Sequence, residues 1–110
     1  MKDLEKTFIG IGEVKGFLFQ QISKNDFGYL YSVAIGGSID HYEVFLKDEQ
    51  KEGESIIAGR KVIFENKILY PSSNKFGISA WTFKTYKESI ESFENLCLLT
   101  KEGLNLATQI

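Results

Sequence analysis

Cysteine, proline, histidine and tryptophan each occur only once in this 110-residue chain, as Cys97, Pro71, His41 and Trp81. A lone cysteine has no partner for an intramolecular disulfide, which fits a reducing compartment. One histidine and one cysteine cannot supply the three or four ligands of a zinc site, so no metal or cofactor is expected. Charge of a single sign is also missing. Thirteen basic residues face fifteen acidic ones, a net of −2, which argues against a chain built mainly to coat nucleic acid. No stretch approaches the ~20 consecutive apolar residues of a membrane-spanning helix. The opening Met-Lys-Asp-Leu-Glu-Lys carries both signs of charge with no apolar run behind it, so a cytoplasmic chain without a signal peptide is expected.

What the chain does have is aromatic residues, 14% of the total, and they fall in alternating runs. Aromatic side chains suit half-buried pleated surfaces, so the runs read as strands. In 13–22, Val14, Leu18 and Ile22 share one face while Phe17 and Phe19 take the other. In 27–35, Phe27, Tyr29, Tyr31, Val33 and Ile35 alternate against Leu30 and Ala34, and two apolar faces predict a central strand. Gly36-Gly37 is a hairpin turn signal. Residues 39–46 return with Tyr42, Val44 and Leu46 on one side and His41, Glu43 and Phe45 on the other. Strands are also expected over 60–70, with an interruption at Asn66 and a stop at Pro71, and over 78–84. Thr85-x-x-Glu88 matches a capping box, and Tyr86, Ile90, Phe93 and Cys97 then recur at helical spacing, flanked by Leu96. The expected architecture is α+β: one domain over 1–110, with an antiparallel sheet of about five strands and one C-terminal amphipathic helix, over about 86–100, packed on it. Residues 1–7 and 104–110 are expected as loosely ordered tails, and 47–55 as a mobile charged loop.

Catalytic signatures are scarce. His41 and Glu43, two apart on a strand, share a face but lack a third partner, and the simpler reading is a surface pair. Cys97 on the apolar helix face reads as packing. Gly10, Gly12 and Gly16 precede a strand where a dinucleotide fingerprint needs a helix. No enzyme is expected.

Charge is nevertheless segregated along the chain. Between Asp40 and Glu54 stand six acids and two lysines; between Arg60 and Lys87, six bases and one acid. The acidic block offers Asp48, Glu49, Glu52 and Glu54 as candidate partner-binding residues, or as a solvated loop. The basic block interleaves lysines with aromatics, the pattern by which sheets stack single-stranded bases. It offers Lys61, Lys67, Lys75, Trp81 and Lys84 as candidate nucleic-acid contacts. The opposing reading places Trp81 and Phe83 beneath the helix, with the lysines solvated.

Three stretches, His41-Tyr-Glu-Val-Phe45, Tyr70-Pro-Ser-Ser-Asn-Lys-Phe-Gly77 and Ala80-Trp-Thr-Phe83 before a capped helix, together resemble short proteins of bacterial mobile elements and phages, particularly of Bacteroidetes. The resemblance spans most of the chain and brings no activity to carry over. The sheet-then-helix ending is also similar to PUR-type and WGR-type nucleic-acid modules, although the Trp-Gly-Arg of the latter is absent. The expectation is a small accessory module that binds a protein, with a mobile-element protein occupying a host factor as its concrete form. A single-stranded nucleic-acid module is the alternative.

Overall fold

The computed structural model describes residues 2–96. Five strands form one antiparallel sheet in the order β1-β2-β3-β4-β9: β1 (Thr7–Ile9), β2 (Leu18–Lys24), β3 (Gly28–Ile35), β4 (Ser38–Leu46) and β9 (Ala80–Phe83). Between β4 and β9 the chain makes an excursion holding β5 (Glu49–Gln50), β6 (Gly53–Ile57), β7 (Arg60–Phe64) and β8 (Lys67–Ile68). There β5 pairs with β8 and β6 with β7, each an antiparallel two-stranded ribbon. The helix α1 (Tyr86–Glu94) follows β9 and lies across β3, β4 and β9. The α+β class and the sheet-plus-helix arrangement are therefore those expected.

The central position of β3 follows from its sequence. Gly28 through Val33 are all buried, because alternate residues are apolar in both directions. Tyr29, Tyr31 and Val33 point to one face with Phe19, Phe45, Ala80 and Ile68, and the N-terminal segment and excursion cover that side. Leu30 points to the other face with Val44, Phe93 and Leu96, under the helix. The sheet thus carries a core on each side. The β3–β4 hairpin turns through Gly36 and Gly37, at φ 65° and 92°, the left-handed pair that a two-residue hairpin loop requires. The helix starts where its sequence places it: Thr85 accepts the Glu88 backbone N–H at 3.3 Å, and its hydroxyl donates to the Glu88 carboxylate at 2.8 Å.

Several boundaries differ from expectation. The strand expected over 13–22 begins only at Leu18, because Gly12 and Gly16 take φ of 64° and 84°, with a 3-10 turn at Gly12–Val14 and a further turn at Lys15-Gly16. A three-residue strand, β1, was hidden in Thr7-Phe8-Ile9 just before it. The tail expected over 1–7 is anchored at Lys2, whose N–H donates to the Asn66 carbonyl at 3.0 Å. Residues 47–55, expected as a mobile charged loop, supply β5 and the start of β6; the strand over 60–70 is interrupted around Asn66 as expected, giving β7 and β8, but stands outside the main sheet. The cause is the turn at Ala58-Gly59, φ 53° and 77°, which folds the acidic block against the basic one. Phe27 sides with the helix rather than with Tyr29, because it precedes the regular strand. On the helix, Phe93 is buried and Ile90 half-buried, but Tyr86 stays largely exposed, edge-on to the Tyr42 ring. Ser89 takes the buried place between them, its hydroxyl donating to the Tyr86 carbonyl at 2.7 Å. Cys97, the helical residues expected up to about 100 and the tail expected over 104–110 lie outside the described residues.

Two predictions follow from this packing. Phe93→Ala removes a large side chain from beneath the helix and should cost about 3 to 5 kcal/mol in chemical denaturation. Gly28 leaves no room for a methyl group, since a Cβ there would lie 2.1 Å from the Phe45 carbonyl oxygen and 2.7 Å from Leu96 Cδ1. Gly28→Ala should lower the thermal midpoint sharply, whereas Gly53→Ala, with open space at its Cβ, should leave it nearly unchanged.

Candidate functional site

A well-formed concavity lies on the side of the sheet away from the helix. It is an open cavity of about 750 Å³, walled by the N-terminal segment on one side and by residues 67–76 on the other. Leu4, Phe8, Ile11, Val14, Ile68 and Phe76 make its lining mainly apolar; Lys2, Asp3, Glu5, Glu13 and Lys67 add charge. Clefts of roughly 300–1,000 Å³ with this mixture are the usual form of a ligand site.

Packed rings and tyrosine hydroxyls hold the walls in place. Phe8 stacks on Phe19 at 4.7 Å, and Tyr31 on Phe45 at 5.6 Å. The Tyr70 ring stands edge-on to Phe8, Phe19 and Phe45 at 6.0, 5.3 and 5.5 Å. Each phenol donates a hydrogen bond to a distant element. Tyr29 donates to the Asp3 carboxylate, and Tyr31 to the Glu5 carbonyl at 2.7 Å, which fastens the N-terminal segment to β3. Tyr70 donates to the Glu43 carboxylate at 2.5 Å, which fastens the excursion to β4. Burial, and then the neighbouring carboxylates, push the Tyr29 and Tyr70 hydroxyls far above the ordinary phenol range, so both remain donors.

Glu43 is only 3% exposed, the one buried charged residue among those described. Its second oxygen lies 3.1 Å from His41 Nε2, and His41 Nδ1 lies 2.8 Å from Asp40. The shared face expected for His41 and Glu43 is observed, but the pair is not superficial: Asp40, His41, Glu43 and Tyr70 form one polar chain running inward from solvent. The hydrogen bond from His41, then Lys84 at 3.5 Å, hold the exposed Asp40 carboxyl below its ordinary range. Both His41 nitrogens face carboxylates and Tyr70 is spent on Glu43, so the chain positions groups and presents no nucleophile. The signal for it was the His-x-Glu spacing; its third member comes from 27 residues further along.

The candidate residues read from the charge blocks are dispersed. Glu54 pairs with Lys61 across the β6–β7 ribbon at 3.2 Å, Glu49 with Lys51 at 3.0 Å, and Lys67 with Glu65 at 3.8 Å. Asp48 and Glu52 are exposed at and beyond the ends of β5, and Lys75 is exposed in a 3-10 turn. Lys67 lines the cavity, but Trp81 lies half-buried beneath the helix on the opposite face, beside Phe83. The proposed basic and aromatic contacts therefore do not form one surface. Sequence reasoning missed the cavity altogether, since its walls come from segments read separately as a tail, the ends of two strands and a loop.

Among the described residues, no group of three His, Cys, Asp or Glu is placed to hold a metal, and no helix is long and apolar enough to cross a membrane. No family model, curated protein or solved structure matches the chain.

Asp3 sets a measurable acid dependence. Partial burial raises its carboxyl, but hydrogen bonds from Lys24, Tyr29 and the Leu4 N–H outweigh this and hold it at about 2, against an ordinary 3.8. A depressed carboxyl contributes stability in full above about pH 4, and the contribution is lost as pH falls toward 2. Its side chain is 41% exposed, so solvent screening keeps the effect to about 1 kcal/mol or less. Asp3→Asn should flatten the stability profile between pH 4 and 2, measured by urea denaturation along a pH series.

Proposed function

We propose that the chain is a small non-enzymatic binding module whose partner is a protein, engaged through the β6–β7 ribbon. The observation that carries this is the exposure of that ribbon. Every residue of β6 is exposed. Register places Glu54, Ile56, Lys61 and Ile63 on one face, with Ile56 and Ile63 at 77% and 73% exposure. The strands make their main contacts with each other. A two-stranded ribbon is marginally stable in water alone, and exposed isoleucines on such an arm have most to gain from covering by another protein. The Glu54–Lys61 ion pair flanking the two isoleucines suits the polar rim of a protein interface. The acids Asp48, Glu49 and Glu52 stand on the approach to the arm and belong to the same contact. The placement of the lysines, with Lys61, Lys67 and Lys84 each facing an acid, favours a protein over a nucleic-acid strand. As a mobile-element protein the chain would occupy a host factor in the cytoplasm; the support for that form is the sequence resemblance and the single cysteine.

The test compares wild type with Ile56→Asp/Ile63→Asp. The double variant should keep its thermal midpoint, because neither side chain is buried, and lose the protein that wild type retains from a host lysate. Lys61→Ala/Lys67→Ala/Lys75→Ala should retain it. Binding of a single-stranded oligonucleotide at micromolar concentration, abolished in the lysine variant, would replace this reading with the nucleic-acid one.

A further inference from the structure

We infer that the cavity opposite the helix is a binding site for a free aliphatic carboxylate, with the carboxylate between Lys2 and Lys67 and the hydrocarbon chain along the apolar walls. This goes beyond the protein-binding arm and does not depend on it. Lys2 and Lys67 face each other in a parallel β-bridge, fixed by Lys2 N–H donating to the Asn66 carbonyl at 3.0 Å and Ile68 N–H to the Lys2 carbonyl at 2.8 Å. Facing positions on neighbouring strands lie about 5 Å apart and share a side, so the bridge brings two ammonium side chains to one end of the cavity. Both residues line it.

Like charges at facing positions repel, and little on the protein relieves them. Lys2 makes no ion pair among the described residues, and Lys67 has only Glu65 at 3.8 Å. The nearest carboxylate in sequence, Asp3, is committed to Lys24 at 2.7 Å and to Tyr29. An anion between the two ammonium groups removes the repulsion and gains charge-assisted hydrogen bonds from both.

The rest of the cavity selects what the anion is attached to. Besides the lysines, the lining includes the apolar side chains of Leu4, Phe8, Ile68 and Phe76, and of Ile11 and Val14 in and beside the 3-10 turn. The tyrosine hydroxyls beneath have already donated their protons to Asp3, Glu5 and Glu43, so they offer no donor to a ligand with polar groups along its length. Glu5 and Glu13 stand on the same wall, exposed, and disfavour an anion anywhere except at the lysine end. The field and the apolar lining therefore orient a single-headed amphiphile in one direction.

Octanoate and octan-1-ol, which share a chain and differ in head charge, are the probes, titrated by calorimetry at neutral pH. Wild type should bind octanoate saturably at one site and about tenfold or more tighter than octanol, the scale of two charge-assisted contacts. Lys2→Ala/Lys67→Ala should lower octanoate affinity to the octanol level and leave octanol binding unchanged, which also shows that the variant is folded. Amide shifts on octanoate addition should concentrate in 2–14 and 67–76. Equal affinity for the two probes in wild type, no saturable octanoate binding, an unchanged octanoate affinity in the variant, or shifts centred elsewhere would each overturn the assignment. None of these results touches the β6–β7 arm.

Discussion

A carboxylate buried in the middle of the sheet governs much of the remaining structure. Glu43 lies on β4, a strand flanked on both sides, and is almost wholly removed from water. Leaving a charge there without partners would cost several kcal/mol, so the fold has to bring partners to it. His41 is supplied by the same strand two residues away. Tyr70 must travel from the far end of the excursion, and its arrival at 2.5 Å dictates that the excursion returns over this face of the sheet rather than over the helix. Once there, the Tyr70 ring fills the space between Phe8, Phe19 and Phe45 and joins the polar chain to the aromatic core.

The two sides of the sheet then differ in character. The helix side is closed by one continuous element whose cap and apolar stripe are written between Thr85 and Leu96. The opposite side is closed by two separate segments, the N-terminal one tied down by Tyr29 and Tyr31 and the excursion by Tyr70. Two covers fastened at a few hydroxyls leave a gap, which is the cavity. The β6–β7 ribbon extends from the excursion where neither core reaches, so its isoleucines remain exposed.

This division explains what could be read from the amino-acid sequence. The alternation through Tyr29, Tyr31 and Val33, the Gly36-Gly37 turn and the Thr85–Glu88 cap are local signals, and the elements they predict are present. Alternation set Trp81 and Phe83 on one face but left open whether that face meets the helix or solvent; it lies beneath the helix. Pairing between distant segments has no local signal. The acidic and basic blocks looked like separate surfaces because their pairing depends on a left-handed turn at Ala58, a residue that seldom adopts one. Three-residue β1 is too short for periodicity to appear. The burial of Glu43 was illegible because one of its partners, Tyr70, read as the last residue of a strand before Pro71. The cavity depends on all three, and so could not be foreseen.

The account rests on the Tyr70–Glu43 hydrogen bond holding the excursion to the sheet. A double-mutant cycle measures it directly: wild type, Tyr70→Phe, Glu43→Gln and the double variant, each unfolded in urea. Both single changes leave shape nearly intact while altering the bond. A coupling energy of about 1.5 kcal/mol or more is predicted, as for a buried hydrogen bond to a charged group. Effects that add within about 0.5 kcal/mol would mean that the two groups do not depend on one another, and would contradict the account.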